Sequence, residues 1–319
     1  MRLGVLGTFV WDTIWTLADR EAGRPFQTWG GLVYSLAAAA AARPPGWEIV
    51  PLARVGHDLE AQARGLMAGL PGLNAGPGIQ VVPIPNNRVE LFYNDHASRD
   101  ERQTGGVGGW EWSDLAPRVA GLDALYVNHF SGLELSLEAA EQLRAEFHGP
   151  IYSDLHSLFL TPAGHGVRER RKLPEWERWA ACFDAVQLNE EELGEIGGAG
   201  ESMERRAGRV LDAGPGLALV TLGERGAASG RRLGFSADPT VWPAERGTER
   251  AGLSFVQHPS SPATGDPTGC GDVWGITCFC GLLSGLSLED AVQAAHRMAV
   301  RKLGHRGASG LYEYLITTS

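Results

Sequence analysis

Residues 266–272 read Asp-Pro-Thr-Gly-Cys-Gly-Asp, and the run Val273-Trp-Gly-Ile-Thr-Cys-Phe-Cys-Gly-Leu-Leu283 follows without a single charge. Gly269 and Gly271 let backbone N–H groups turn inward at the start of an apolar helix, where unpaired amides and the helix dipole favour an anion. Asp272 stands one turn inside that cradle, so a carboxylate sits where a bound phosphate would be expected. Phosphoryl transfer gives it a task, because an incoming alcohol must lose a proton to a nearby base while charge gathers over the amides. Read alone, the stretch is more readily a plain helix start with Asp272 favouring the dipole. The surrounding sequence decides between the two.

Composition sets the bounds. At 319 residues, with 43% hydrophobic and 21% charged residues, the chain suits one large α/β domain carrying an insertion. A net charge of -10 argues against a nucleic-acid partner, whose phosphates need a basic surface. It leaves room for a nucleotide held by a few amides and one cation. The cysteines, at 182, 270, 278 and 280, form no C-x-x-C pair. Free buried thiols in a reducing compartment are the expectation. The N-terminus lacks the pattern of a signal peptide, and no apolar run reaches the ~18 residues of a membrane span. A cytoplasmic protein with no membrane partner is expected.

Along the chain, Leu3 to Leu6, Trp47 to Leu52, Ala124 to Val127, Ile151 to Ser153, Ala185 to Leu188 and Leu217 to Leu222 read as strands. Helical segments alternate with them from Leu32 to Ala42 onward. That rhythm predicts three α/β/α layers around a mostly parallel sheet. Residues 79–95 are β-like but interrupted by prolines, and 96–113 are polar and glycine-rich. A single domain over 1–319 is therefore expected to carry a small β insertion from about 79 to 113, with part of 8–15, serving as a lid or as the clasp of a homodimer. Residues 223–262 read as a hairpin and loop.

Asp-Pro-Thr-Gly-Cys-Gly-Asp resembles the D-T-x-G-A-G-D signature of the ribokinase-like (PfkB-type) sugar and nucleoside kinases. Further stretches resemble that family in its order. The resemblance implies Asp272 as catalytic base, the backbone of Gly269, Cys270 and Gly271 as anion hole, and Asp266 beside the phosphates and metal. Gly7-Thr-Phe-Val-Trp-Asp12 follows the first strand, where the family binds substrate hydroxyls with an acid; a carboxylate can grip vicinal hydroxyls through both oxygens. Gly30-Gly31-Leu-Val-Tyr-Ser35 is similar to G-G-x-x-x-N, with glycines that admit close approach of a sugar and Ser35 where the family has asparagine. Asn189-Glu-Glu-Glu192 resembles N-x-x-E, which implies magnesium held by Asn189 and Glu192 through water; by itself it reads as a helix N-cap followed by acids. Thr221-Leu-Gly223-Glu-Arg-Gly226 is similar to the T-x-G-x-x-G nucleotide loop, implying contacts with ATP from Thr221, Gly223 and Gly226. Asp154-Leu-His156 is a weaker candidate at a strand end. His296 and Arg297 lie in the segment that would border the adenine, where the family has small residues and asparagine.

The expected activity is ATP- and Mg²⁺-dependent phosphorylation of a primary hydroxyl on a sugar or nucleoside. Two alternatives stand beside it. One is a sugar- or nucleoside-binding regulatory protein on the same fold with weakened catalysis, suggested by Ser35. The other is a nucleotide-binding oxidoreductase, disfavoured because its glycine loop belongs after the first strand. Phe9, Trp11, Trp29 and Tyr34 flank the expected sugar site and could stack on a ring or belong to the core. Arg88 is the one residue of the insertion singled out to reach a phosphorylated substrate, while His305 and Arg306 read as helix-end residues.

Overall fold

A computed structural model describes residues 1–76, 78–93, 99–161, 167–245, 252–261 and 263–317. The strands in chain order are β1 (Arg2–Leu6), β2 (Phe9–Trp15), β3 (Phe26–Gly31), β4 (Glu48–Gly56), β5 (Ile79–Val82), β6 (Arg88–Tyr93), β7 (Arg99–Thr104), β8 (Ala124–Asn128), β9 (Ile151–Asp154), β10 (Ala185–Asn189), β11 (Leu217–Thr221), β12 (Ala227–Arg232) and β13 (Leu253–His258). The main sheet has the order β13-β12-β11-β10-β9-β8-β1-β4-β5. It is parallel from β5 to β11 and closes with the antiparallel pair β12 and β13.

Strand alternation makes the layers. Leu3, Val5, Ala124, Tyr126, Leu217 and Leu219 face one core with the Leu32–Ala42, Cys270–Leu283 and Leu288–Leu303 helices. Leu6, Leu125, Val127, Ala218 and Val220 face the other, with Leu137–Glu146 and Met203–Asp212. Successive side chains point to opposite faces, and both faces of the central strands β1, β8 and β11 are buried, so these strands read as nearly continuous apolar runs. The Leu32–Ala42 helix is buried from Leu32 to Ala40. Its alanines permit contact on all sides, and a helix apolar all round has to be interior. This is the three-layer α/β/α architecture expected from the rhythm of the sequence.

The smaller sheet differs from expectation in its parts. Its order is β3-β2-β6-β7, around a core of Val10, Ile14, Val89 and Leu91. Ile79–Val82, expected in the insertion, instead pairs in parallel with β4 at the edge of the main sheet. The prolines at 83 and 85 follow that strand and separate it from β6, consistent with a ring that fixes φ and removes a donor. Phe26–Gly31, not foreseen as a strand, pairs antiparallel with β2, and Arg99–Thr104, read as loop, pairs with β6. Trp112–Val119 is a helix where a loop was expected up to 113.

A buried ion pair holds the segment before the Cys270–Leu283 helix. Lys302 Nζ, wholly shielded from solvent, lies 3.3 Å from Asp266 Oδ2 and donates to the Asp266 carbonyl at 3.0 Å. Thr268 N and Gly307 N also donate to the Asp266 carboxylate, at 3.0 and 3.3 Å. Burial raises the Asp266 carboxyl, but the Lys302 charge and these amides outweigh it and bring it below its ordinary 3.8. Removing one member of such a pair costs about 3–5 kcal/mol. Lys302→Met should lose stability on that scale in urea unfolding at pH 7, and the double variant with Asp266→Asn should lose less. The wild-type advantage over Asp266→Asn is full above the unfolded carboxyl value near 3.8 and disappears as pH falls through the lower folded value. An advantage equal at pH 7 and pH 2.5 would contradict this account.

Candidate active site

The strand-end candidates share one edge. Asn128 is in register with Asp154, Asp154 with Gln187, and Asn189 with Thr221, so β8 to β11 present their carboxyl ends side by side. In parallel sheets ligands gather at this edge, where connections leave in opposite directions from neighbouring strands. Here β1 lies between β4 and β8, and the glycine loop at 269–271 meets β10 through Gln187.

The Cys270–Leu283 helix starts from Gly269, whose φ of 80° puts it in the left-handed region. A Cβ there would lie 2.4 Å from the Tyr34 ring, so glycine is needed both for conformation and for room. Gly271 has no such crowding, its nearest neighbour being Gln187 at 3.8 Å. Asp272 is buried within the first turn. The Asn128 amide donates to Asp272 Oδ1 at 2.5 Å and to Ser35 Oγ at 3.1 Å. Asn128 Oδ1, also buried, has no partner among the described residues. An unpaired acceptor beside a buried carboxylate costs free energy unless something else bonds it.

Gln187 fastens the loop from below. Its amide donates to the Gly271 carbonyl at 3.1 Å and to Asp154 Oδ2 at 2.8 Å, while Tyr152 OH donates to its Oε1 at 2.8 Å. Gly275 admits that arrangement, since a Cβ would meet Gln187 Oε1 at 2.3 Å and Tyr126 OH at 2.5 Å. Neither Asn128 nor Gln187 was singled out from sequence. The available signal was an amide closing one otherwise apolar strand, Ala-Leu-Tyr-Val-Asn, and an amide interrupting another, Ala-Val-Gln-Leu-Asn.

Asp12 lies on β2 rather than in a turn, fully buried, and faces Gly30, where a Cβ would come within 1.9 Å of Asp12 Oδ2. Gly31, at φ 58°, would place a Cβ 2.3 Å from the Thr8 carbonyl. Asp12, Gly30 and Gly31 therefore form one packed corner, with Ser35 one turn further along the helix that follows. Phe9, Trp29 and Tyr34 belong to the core, and Trp11 is half-buried against Trp29. Arg88 does not reach this corner; it pairs with Asp58 at 2.7 Å.

Asn189 and Glu192 make a capping box. Asn189 Oδ1 accepts from Glu192 N at 2.8 Å, and Glu192 Oε2 accepts from Asn189 N at 2.8 Å. Glu192 Oε1 also takes the Asn189 side-chain amide at 2.6 Å and lies 2.8 Å from His156 Nδ1. Burial pulls the His156 pKa down, but its bond to Glu192 and the charges of Glu192, Asp154 and Asp272 outweigh this and hold it at about 9. Burial pushes the Asp154 carboxyl well above its ordinary value, with Glu192 and Asp272 adding to the rise. Among the described residues no three His, Cys, Asp or Glu side chains have metal-holding geometry. With both Glu192 oxygens engaged, this donor set suits a hard cation only through intervening water. Asp266 sits with Lys302 behind the loop.

Thr221 ends β11, and Gly223 and Gly226, at φ 61° and 94°, turn the chain into β12. A Cβ at Gly226 would meet the His258 carbonyl at 2.2 Å. His296, expected to border an adenine, is buried, accepting from Trp274 Nε1 at 3.0 Å and bonding the His258 carbonyl at 3.1 Å. Arg297 points elsewhere, into a cavity lined by the ends of three helices. Cys270 carries a thiol that burial pushes up to about 12; none of the four cysteines, at 182, 270, 278 and 280, is in a disulfide. His305 bonds the Ser309 carbonyl at 2.9 Å, and Arg306 pairs with Asp19.

The small sheet reaches the loop directly. Tyr93 OH, at the end of β6, lies 2.5 Å from Thr268 Oγ1. Arg168 ties β7 to the body, donating to Glu101 at 2.9 Å, to Gln103 at 3.2 Å and to the Ser131 carbonyl at 2.9 Å. No helix among the described residues is long and apolar enough to cross a membrane.

No family model and no curated protein matches the sequence. Solved structures do. Ribokinase from Thermotoga maritima superposes with a TM-score of 0.68 at 16% identity, covering 99% of this chain and 98% of the other. A pyrophosphate-dependent kinase of the ribokinase family, complexed with a pyrophosphate analogue and myo-inositol, gives 0.71 at 14% identity over 96% of each chain. A nucleoside kinase from Burkholderia thailandensis, in complex with inosine, gives 0.68 at 18% identity over 98% and 94%. The chain has the ribokinase-like three-layer α/β/α fold.

Proposed function

We propose that this protein is a phosphotransferase that moves a phosphoryl group from ATP to a primary hydroxyl of a sugar or nucleoside. The observation that carries the reading is Asp272: a buried carboxylate on the first turn of a helix, beneath glycine amides and bonded to Asn128 at the carboxyl edge of the sheet. In this reading the acceptor hydroxyl lies between Asp272 and the donor phosphate. Asp272 takes the proton as the oxygen attacks in line, and the amides of Gly269, Gly271 and Asp272 receive the charge that develops, while the expected Cys270 amide donates instead to the Pro267 carbonyl at 3.1 Å. Asn128 holds the Asp272 side chain and offers its free Oδ1 to a further substrate hydroxyl. Asp12, with Gly30, Gly31 and Ser35, binds the rest of the acceptor. Thr221, Gly223 and Gly226 flank the donor. Asn189 and Glu192, braced by His156, would hold magnesium through water, which would supply positive charge near the phosphates. The small sheet covers the site through Tyr93 and Arg168 and excludes water.

The base-binding side favours a second reading of the donor. His296, Trp274 and the His258 carbonyl bond one another in the region the sequence analysis assigned to adenine, and one structural neighbour works with pyrophosphate. A donor without a base would need only the amide cradle and the cation. ATP and pyrophosphate should therefore be compared directly, across pentoses, hexoses, cyclic polyols and nucleosides, by product formation in ³¹P NMR. Phosphorylation from either donor supports transfer. Tight acceptor binding with no transfer from either would favour the regulatory alternative.

Asp272→Asn should lower kcat by about 10²–10⁴-fold, the usual range for loss of a positioned base, with donor affinity measured by calorimetry nearly unchanged. Wild-type rates in this variant would remove Asp272 from the mechanism. Asn128→Asp sets a second carboxylate against Asp272, and like charge disfavours ionisation. The acidic limb of kcat/KM should move to higher pH, whereas Asn128→Ser should leave the limb near its original place and raise KM.

A further inference from the structure

Away from the sheet edge, the Leu32–Ala42, Cys270–Leu283 and Leu288–Leu303 helices border an open surface pocket of about 400 Å³. Three arginines line it: Arg43 just past the first helix, and Arg297 and Arg301 on the third. In a chain of net charge -10, no carboxylate among the described residues pairs with any of them. Arg43 donates to the Pro71 and Pro44 carbonyls and Arg301 to the Leu315 carbonyl, while Arg297 has no hydrogen-bond partner there. Arg297 and Arg301 lie four residues apart on one helix face, a spacing at which like charges repel. Thr277, on the middle helix, lines the same space; it is 3% exposed, and its Oγ1 has no partner among the described residues. The buried Thr277 hydroxyl left unpaired is a cost that a bound anion would remove, and the same anion would relieve the repulsion between Arg297 and Arg301. Leu286 and Met298 give the cavity an apolar side.

We propose that this cavity binds a small phosphate monoester, with Arg297 and Arg301 gripping the phosphate, Thr277 donating its hydroxyl to it, and the carbon skeleton lying on Leu286 and Met298. Guanidinium forks match phosphate oxygens in pairs, which favours this class over a lone carboxylate. The volume admits a molecule of a few carbons and is at the lower end of ordinary ligand pockets. The site is separate from the glycine loop. Thr277, five residues on from Asp272, lies ~7.5 Å along that helix and about 140° around it, so the two face different sides.

The probe is glycerol 3-phosphate, titrated into the full-length protein by calorimetry, with inorganic phosphate and citrate as comparisons. Saturable binding in the millimolar range or tighter is expected, weakened about tenfold or more by Arg297→Glu and several-fold by Thr277→Val. Arg297 is exposed and unpaired, so its variant should unfold at the wild-type temperature. Equal binding to wild type and Arg297→Glu would assign the anion to the glycine loop and overturn the proposal. So would the absence of saturation, or a preference for citrate over the monoester. These readouts are independent of turnover, so failure here leaves the kinase reading intact.

Discussion

The approach of one buried helix to the edge of the sheet is the constraint on which the site depends. The Cys270–Leu283 helix is apolar almost all round, and only glycine at 269 and 275 lets its first turns settle against Tyr34, Tyr126 and Gln187. Larger residues would lift the N-terminus by more than the contact distances allow. The amides would then leave the strand ends, and Asp272 would lose Asn128. Close packing of this kind transmits small volume changes as shifts of whole elements, because interiors have little slack. The same seating explains why Lys302 is buried. Its ammonium holds Asp266 behind the loop, so the chain that delivers Gly269 is fixed before the helix begins.

That geometry creates an electrostatic problem which the surrounding residues solve unevenly. Asp154, Glu192 and Asp272 influence one another strongly enough that two of them help raise the Asp154 carboxyl. His156 supplies compensating charge beside them, held protonated to about pH 9 by the same carboxylates. Glu192 is further satisfied by its capping box. The cluster is thus rich in hard oxygen donors whose direct coordination sites are already used, which suits a hydrated divalent cation better than a dehydrated one. The cap observed at Asn189-Glu-Glu-Glu192 is compatible with the proposed cation site, since a rigid cap fixes carboxylates that water can bridge.

The layers and the parallel sheet were legible because period and composition report burial, and buried parallel strands read as short apolar runs between helices. The small sheet was less so. Phe26–Gly31 ends in two glycines and was read only as the lead into a helix, while Ile79–Val82 was assigned by proximity to the wrong sheet. Both depend on partners distant in sequence, β2 and β4, that local pattern does not encode. The glycine loop, its aspartate and the strand-end residues stood out as local motifs. Asn128, Gln187 and Lys302 did not, because each matters through a single long-range hydrogen bond or ion pair. Arg88 was misplaced for the converse reason: a charge looks available in sequence until its partner, here Asp58, is known.

Ser35 shows how such long-range contacts alter the meaning of a local departure. An asparagine expected at that helix position would have offered an amide to the site. Here the shorter hydroxyl leaves room for Asn128, whose amide reaches both Ser35 and Asp272 from the end of β8. Moving the amide from helix to strand keeps a donor beside the carboxylate, and it turns one free acceptor, Asn128 Oδ1, into the buried interior. A donor at the same spot would select substrates by their oxygens without protons, whereas this acceptor favours a hydroxyl or amine that can donate. On the proposed reading, Ser35 together with Asn128 would set which hydrogen bond an acceptor substrate meets, one donated by that substrate to Asn128 Oδ1.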